Sequence, residues 1–501
     1  MTDIFVTKKD EVHAIIECED STSREIVDLF TFEAASAKFS PAYRNRKWDG
    51  KTRLFSDKTR KLYIGLLPHL CVWASANNYS VEIDSSVPLP SKKPSKEDTV
   101  KFFEDKLNIH AEGKKISPRP FQISAFRHIV GASRCVIESA TSSGKSLTIY
   151  SLCRLYSEIL PKDKKILLIV PSVNLVYQMF SDFEDYSSED DWNAHDHCHM
   201  VFSGQDKIDM NKKIVISTYQ SIYDLPKKYF KVFGTILGDE AHLFQAKTLK
   251  GIMHKLDSCQ YRIAFTGTLQ ESKCERLIIE GLFGMTKNVV AARDMINQGY
   301  APDLDIDCIV LKYPERICNQ TIGMTFQEER KFIANVKERN DFISDLTENL
   351  KGNTLVLVDL VKDHGIPMYE HMKEHSNKNV YLAIGDTDGE EREKIRKIAE
   401  NETGITIVAS YGVFSTGVSI KNLHNIVFGG SPGKGKIRVV QSIGRLLRQH
   451  DSKDTVKLYD IADDLSVGNK KNFLFKHMME RINIYNKEKH PYRVIPIKLF
   501  D

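Results

Sequence analysis

The chain has 501 residues, 41% of them hydrophobic, nine cysteines and a formal charge of +4, which allows roughly two to four cores but is too balanced to name a partner. The absence of any Cys-x-x-Cys pair argues against a disulfide scaffold or a closed thiolate zinc site and suits a reducing interior. No apolar run is long enough to span a membrane, and Met1-Thr2-Asp3-Ile4 opens no basic-then-apolar leader, so a soluble, cytoplasmic protein with no membrane partner is expected.

Residues 1–87 read as a small α+β domain, with short strands at Ile4-Phe5-Val6 and Val12 to Ile16 and a helix from Ser23 to Phe30. Between positions 38 and 61, nine cations (Lys38, Arg44, Arg46, Lys47, Lys51, Arg53, Lys58, Arg60 and Lys61) face only Asp49 and Asp57, a local charge of +7. Phe39, Tyr43, Trp48 and Phe55 are interleaved with them, as stacking or wedge residues beside phosphate-binding cations would be. Arg44, Arg46, Lys47, Trp48, Lys51 and Arg53 are therefore candidate nucleic-acid contacts. A solvated hairpin whose aromatics fill a small core is the competing reading, and for Trp48 and Phe55 both stand. Pro88 to Ser95 has the composition of a linker, and residues 88–115 are expected to be that linker and a connecting helix.

From 116 to 325 strands and helices alternate, with compact apolar strands such as Lys165 to Val170 and Lys213 to Ser217 that suit a parallel sheet covered on both faces. Ser139 to Ser146 spells S-A-T-S-S-G-K-S between the strand Cys135 to Glu138 and the helical run from Leu147. Such a strand, turn and helix would make a phosphate cradle, with N–H groups at Gly144 to Ser146 pointing at the β-phosphate, Lys145 reaching the β and γ oxygens and Ser146 ligating Mg²⁺; a small-residue turn that happens to spell G-K-S is the competing reading. Thr141, Ser142 and Ser143 complete the loop, and a strict pattern would place glycine at 139, where this chain has serine. The strand Val232 to Gly238 delivers Asp239 and Glu240 at its carboxyl end, where open parallel sheets bind ligands. Asp239 would hold Mg²⁺, and Glu240 would orient and deprotonate the attacking water. Adjacent carboxylates are commonplace alone; the phosphate loop upstream gives these two their meaning.

His195, His197 and His199 would share one face if they lay on a strand, as transition-metal ligands might. No second ligand cluster closes such a site, which favours solvated or partly buried histidines. A second alternation occupies 326–465, with strands at Thr354 to Val358, Asn379 to Ile384, Ile405 to Ala409 and Asn425 to Phe428 and no phosphate loop of its own. Residues 466–501 form a basic C-terminal extension containing Lys470, Lys471, Lys476, Arg481, Lys487, Lys489, Arg493 and Lys498. It is open to three readings: a further nucleic-acid contact, a docking surface for a partner protein, or a packed charged tail.

Eight short strings occur in one order: Phe121-Gln122, Ser139 to Ser146, Pro171 to Gln178, Ser217 to Ser221, Asp239 to His242 (D-E-A-H), Thr266 to Thr268 (T-G-T), Ser410 to Ser419, and Gln441 to Arg448 (Q-S-I-G-R-L-L-R). In this the chain resembles superfamily 2 helicases, and the resemblance implies two tandem RecA-like parallel-sheet domains that use ATP and Mg²⁺. It assigns Gln122 to the adenine edge, Gly417 to nucleotide approach, and Arg445 and Arg448, three apart on a predicted helix, to the γ-phosphate. His242, Thr266, Thr268 and Gln441 would couple hydrolysis to nucleic acid, which Ser172, Gln178, Thr218, Gln220 and Ser410 would grip through phosphates, without base specificity.

The stretches Phe30 to Glu33 and Phe39 to Phe55 (F-S-P-A-Y-R-N-R-K-W-D-G-K-T-R-L-F) are similar to the N-terminal domain of phage recombination and repair helicases. That closer resemblance implies a monomer acting on branched or duplex DNA and RNA–DNA hybrids by 3′-to-5′ unwinding or branch migration, in an infected bacterial cell. A duplex translocase or annealing remodeller without extensive strand separation, an RNA helicase, and a binding module without turnover are the alternatives.

Overall fold

The computed structural model describes residues 2–34, 37, 40–202, 209, 211–269, 272–416 and 420–500, with backbone alone at 415 and 416. Two compact units divide the chain, Met1–Ser139 with Ser143–Val289, and Ala140–Ser142 with Val290–Asp501.

The first unit begins with strands β1 (Ile4–Lys8) and β2 (His13–Cys18), the two-stranded arm β3 (Thr31–Glu33) and β4 (Lys51–Arg53), then β5 (Phe55–Ser56), β6 (Lys61–Tyr63) and β7 (Val81–Ile83). Five of them form a sheet in the order β5-β6-β2-β1-β7. The short hairpin β8 (His110–Ala111) and β9 (Lys114–Lys115) precedes a seven-stranded sheet built from β10 (Arg134–Ser139), β11 (Lys165–Val170), β12 (Cys198–Val201), β13 (Ile214–Thr218), β14 (Phe233–Gly238), β15 (Tyr261–Thr266) and β16 (Thr286–Val290). Side chains along these strands alternate between two apolar layers, Val136, Leu167 and Ile236 entering one and Ile137, Leu168 and Leu237 the other. Burial on both faces explains why the strands read as unbroken apolar runs.

The small N-terminal domain is part of the first unit's core. Ile4, Val6, Ile16, Leu62 and Leu70 belong to the same apolar cluster as Val136, Leu167, Ile252 and Phe283. A Cβ on Gly65 would lie 2.0 Å from the Glu280 carbonyl oxygen, so only glycine permits this approach. Beside it the buried Glu280 carboxylate bonds His69 at 2.7 Å. Glu11 of the small domain pairs with Arg134 at the start of β10, whose register partner on β15 is the fully buried Arg262. Arg262 donates to four backbone carbonyls, those of Met253, Leu256, Cys259 and Leu282. Burial, then the Arg134 charge, brings it down to about 10. The segment read as a linker is likewise held, Ser91 N–H donating to the Gly131 carbonyl and Arg127 to the Pro94 carbonyl.

The second unit carries β17 (Asp303–Lys312), β18 (Thr354–Val358), β19 (Val380–Ala383), β20 (Thr406–Ser410), β21 (Asn425–Phe428), β22 (Thr455–Asp464) and β23 (Tyr492–Lys498). Its sheet runs β19-β20-β18-β21-β22-β17-β23, and the first runs β12-β13-β11-β14-β15-β10-β16. The two orders are the same permutation, so the molecule contains two tandem RecA-like parallel-sheet lobes and an N-terminal α+β domain. Two expected boundaries change. The division placed at 325/326 falls earlier, because β17 pairs with β22 and β23; the alternating Asp303, Asp305 and Asp307 hide it as a strand. The C-terminal extension is integral to the second lobe, since β23 is the counterpart of β16 and the preceding helix Phe473–Lys487 packs on β22.

Glu11→Gln should destabilise the first unit by about 3–5 kcal/mol, the cost of leaving a buried charge unpaired. Chemical denaturation of the full chain reads this, and a wild-type midpoint would mean that Arg134 is stabilised by other means.

Candidate functional site

The helix Lys145–Ile159 starts from Gly144, whose φ of +79° lies in the left-handed region. A Cβ there would sit 2.3 Å from Gln122 Nε2. Gln122 spans the base of the loop: its Oε1 accepts from Arg119 N–H at 2.8 Å, and its Nε2 donates to the carbonyls of Ser143 (2.9 Å) and Gly144 (3.3 Å). The serine at 139 also has a role, because its hydroxyl donates to Ser143 Oγ at 2.8 Å and bridges the two ends of the loop. Lys145 Nζ donates to the Ser139 carbonyl at 3.3 Å. Ser146 Oγ lies 2.9 Å from the hydroxyl of Tyr186, whose own ionisation burial pushes strongly upward. Thr141 and Ser142 fall in the segment that groups with the second unit, and Ser142 has φ +69°.

Strand β14 ends at Gly238, where a Cβ would meet the Phe244 ring at 2.7 Å, and Asp239 and Glu240 follow. Burial, then the neighbouring Glu240 charge, raises Asp239 to about 7, with the Lys145 ammonium acting in the opposite direction. Glu240 has φ +54° and its Oε2 lies 3.2 Å from His242 Nδ1. The same nitrogen is 3.3 Å from Thr266 Oγ1, and that hydroxyl donates to the Thr268 carbonyl at 2.8 Å. A polar chain therefore links Glu240 at the end of β14 to Thr266 and Thr268 at the end of β15. Oxygen donors at Ser146 and Asp239 suit a hard divalent cation, whose charge would offset the burial and the Glu240 repulsion that raise Asp239.

In the second unit Ser410 is buried at the end of β20, and Arg445 on the helix Lys436–Leu446 lies over the Phe414 ring, 4.9 Å from its centroid. Gln441 is half-buried on that helix. Arg448 lies beyond it, because the chain turns at Leu447 with Arg448 N–H reaching the Arg445 carbonyl at 3.3 Å, so the two arginines do not share a continuous helix. Gly417 lies outside the described residues.

Ser172 precedes the helix Val173–Tyr186, on which Gln178 is exposed. Thr218, buried at the end of β13, bonds Ser221 Oγ at 2.9 Å, and Gln220 is exposed in the following turn. In the small domain the β3–β4 arm presents Arg44, Arg46, Lys47, Lys51 and Arg53 to solvent, with Arg53 paired to Asp49 at 2.5 Å. Trp48 and Phe55, equal candidates in the sequence, separate: Phe55 is a core residue, whereas Trp48 is half-buried, donates to the Lys51 carbonyl at 2.9 Å, and lines an open basin with Tyr43, Arg44 and Arg46. Lys38 and Phe39 lie outside the described residues. The histidines diverge. His195 pairs with Glu184 at 2.7 Å, His197 stacks on Trp192 at 4.9 Å, and only His199 lies on a strand. Among the described residues no group of three or more His, Cys, Asp or Glu could hold a metal ion, and no helix is long and apolar enough to cross a membrane.

Sequence reasoning missed Tyr186, which is 40 positions from Ser146 in the chain, and Glu138, whose carboxylate accepts from Leu269 N–H at 3.1 Å. Neither carries a local sequence signal.

Three family models match successive parts of the chain: the N-terminal domain of DNA helicase UvsW over residues 3–84, the res subunit of type III restriction enzymes over 115–271, and the helicase conserved C-terminal domain over 338–450. The ATP-dependent DNA helicase UvsW of Enterobacteria phage T4 is 35% identical in an alignment covering 99% of this chain and 100% of that protein. A crystal structure of T4 UvsW matches with a TM-score of 0.53 at 33% identity, covering 100% of both chains. The type ISP restriction-modification enzyme LlaBIII bound to DNA shares the fold at 15% identity, with a TM-score of 0.56 over 85% of this chain and 34% of that one.

Left-handed backbone at Glu240 is strained for a residue with a Cβ. Glu240→Gly should therefore be more stable than Glu240→Gln by about 1 kcal/mol, both having lost the carboxylate. Equal denaturation midpoints for the two variants would remove the strain argument.

Proposed function

We propose, from the premise that this chain belongs to the UvsW family of superfamily 2 DNA helicases, that it hydrolyses ATP to unwind and branch-migrate forks, recombination intermediates and R-loops, moving 3′ to 5′. The observation that carries the reading is the polar chain from Glu240 through His242 to Thr266 and Thr268, adjoining the phosphate loop. In this reading Lys145 and the N–H groups of Gly144 to Ser146 seat the triphosphate, and Thr141, Ser142 and Ser143 shape the loop. Ser146 and Asp239 would hold Mg²⁺, which would supply positive charge to screen the phosphates. Glu240 takes the proton of the attacking water, and its link through His242 lets a movement of Thr266 and Thr268 alter its aim. Gln122, already bonded to the loop, relays adenine occupancy to it, with Gly417 at the nucleotide. Arg445 and Arg448 supply guanidinium donors to the charge that grows on the γ-phosphoryl oxygens, and Gln441 couples the helix of Arg445 to nucleic acid.

Ser172, Gln178, Thr218, Gln220 and Ser410 grip phosphates along a strand. The arm holds duplex beside the junction through Arg44, Arg46, Lys47, Lys51 and Arg53, with Trp48 as its stacking residue. The protein acts as a monomer in the cytoplasm of an infected bacterium.

Strand-displacement and branch-migration assays on matched forks, four-way junctions and RNA–DNA hybrids, with hydrolysis followed in parallel, test the assignment. Hydrolysis that moves no junction and displaces no strand would instead favour a duplex translocase. Lys145→Ala should abolish turnover and spare DNA binding, while Glu240→Gln should retain ATP without cleaving it; near-normal turnover in either defeats the site. Because the small domain shares the lobe's core, the arm is better tested by Arg44→Glu with Arg46→Glu than by truncation, and unchanged affinity for forks at matched salt would remove it from the DNA path.

A further inference from the structure

The helix Phe473–Lys487, in the segment that reads as a basic extension, bears Arg481, which is fully buried. Its guanidinium makes a two-pronged pair with Asp460 (Nε to Oδ2 2.8 Å, Nη2 to Oδ1 2.6 Å), and the Tyr485 hydroxyl donates to the same carboxylate at 2.7 Å. The remaining nitrogen, Nη1, donates outside the pair, to the Gly433 carbonyl at 3.2 Å and the Ser431 hydroxyl at 3.4 Å. These two residues belong to the loop 429–435, which enters the helix Lys436–Leu446 carrying Gln441 and Arg445. The far end of the C-terminal helix holds the same element, because Glu488 pairs with Lys436, the first residue of the arginine helix, at 2.8 Å. Two further bonds fix the loop: the Tyr411 hydroxyl donates to the Gly430 carbonyl at 2.7 Å, and Arg438 Nη1 donates to the Pro432 carbonyl at 3.2 Å.

Four glycines, at 429, 430, 433 and 435, leave this loop little stiffness of its own. Its course, and the direction in which the helix leaves it, are set by what the neighbouring side chains hold. Nine residues of helix separate Lys436 from Arg445, a lever of about 13 Å, so a tilt of about 5° at Lys436 moves Arg445 by about 1 Å. Displacement on that scale can cost on the order of 10²-fold in rate.

We infer that Arg481 and Glu488 are positioning residues for ATP hydrolysis, by which the C-terminal helix sets the pose of the helix that carries Arg445. This rests on the reading of Arg445 as a donor to the γ-phosphate. A buried ion pair serving stability alone needs only Asp460; the additional bonds to Ser431 and Gly433 and the tie at Lys436 bear on the arginine helix.

Arg481→Lys keeps a cation against Asp460 but loses the planar fork that serves both partners, and Glu488→Gln cuts the second tie at a partly buried position. In DNA-stimulated hydrolysis by the full chain, kcat should fall about tenfold in the first and about threefold in the second, with KM for ATP, DNA affinity and melting temperature unchanged. Combined with Arg445→Ala, neither should lower kcat further, and the charge swap Lys436→Glu with Glu488→Lys should recover the loss caused by Glu488→Gln. Losses that add fully to that of Arg445→Ala, or wild-type kcat in both single variants, would overturn the inference. If Arg481→Lys melts early, Glu488→Gln and the charge swap decide the matter. Should Arg445→Ala itself turn over normally, the arginine reading falls and takes the positioning role with it, an outcome distinct from failure of the single variants.

Discussion

Charge at the carboxyl ends of buried parallel strands must be neutralised by something, and the two lobes solve this differently on the same strand order. Where β14 ends, Asp239 and Glu240 stand side by side with Lys145 as the nearby opposing charge, and Asp239 is raised to about 7. In the second sheet three guanidiniums each have their own carboxylate. Arg339 pairs with Asp463 at 2.8 Å, Arg330 with Asp359 at 2.6 Å and Arg481 with Asp460 at 2.6 Å. The first arrangement leaves two adjacent carboxylates beside one ammonium, the charge balance that ATP and its cation would complete under the proposed function, whereas the three pairs of the second are closed by the protein itself. The same strand order thus carries two different charge patterns, and under the positioning inference the paired one holds the arginine helix.

Motor and arm are joined by a related economy of charge. Arg134 and Arg262 lie opposite each other on β10 and β15, the strands that lead to the phosphate loop and to Thr266. Glu11, a residue of the small domain, is the carboxylate that pairs with Arg134. Together with the close approach at Gly65 and the shared apolar cluster, this joins the small domain that bears the basic arm to the first lobe.

Much of this was legible in the sequence because it is local. A strand, a loop of small residues and a helix declare the phosphate cradle, and one apolar strand with two carboxylates after it declares the second element. Relations between distant positions were not legible. Glu11 and Arg134 are 123 positions apart, and nothing near either marks the pair. Arg481 reads in the sequence as one cation of a basic extension because its neutralising partner, Asp460, sits on strand β22. Strand β23 was hidden for a different reason: it lies at the sheet edge, carries Pro496 where a central strand would need its N–H, and alternates partly covered with exposed residues. Arg493, counted as part of a basic tail, lies 2.8 Å from Asp307 on β17.

Strain at the site follows from the same packing. Ser142 and Glu240 both hold left-handed backbone although each has a Cβ, a conformation costing on the order of 1–3 kcal/mol at each position. At 240, glycine would remove the strain and with it the carboxylate that faces His242. The cost is sustained because β10 and β14 are buried on both faces and cannot yield, so the loops must take the turn the strands leave them. A rigid sheet with strained loops at its carboxyl edge is thus an arrangement in which ligand binding can change loop geometry without disturbing the core. Here the Gln122 amide on the Ser143 and Gly144 carbonyls, the Tyr186 hydroxyl on Ser146 and the Lys145 ammonium on the Ser139 carbonyl are the bonds such a change would have to exchange.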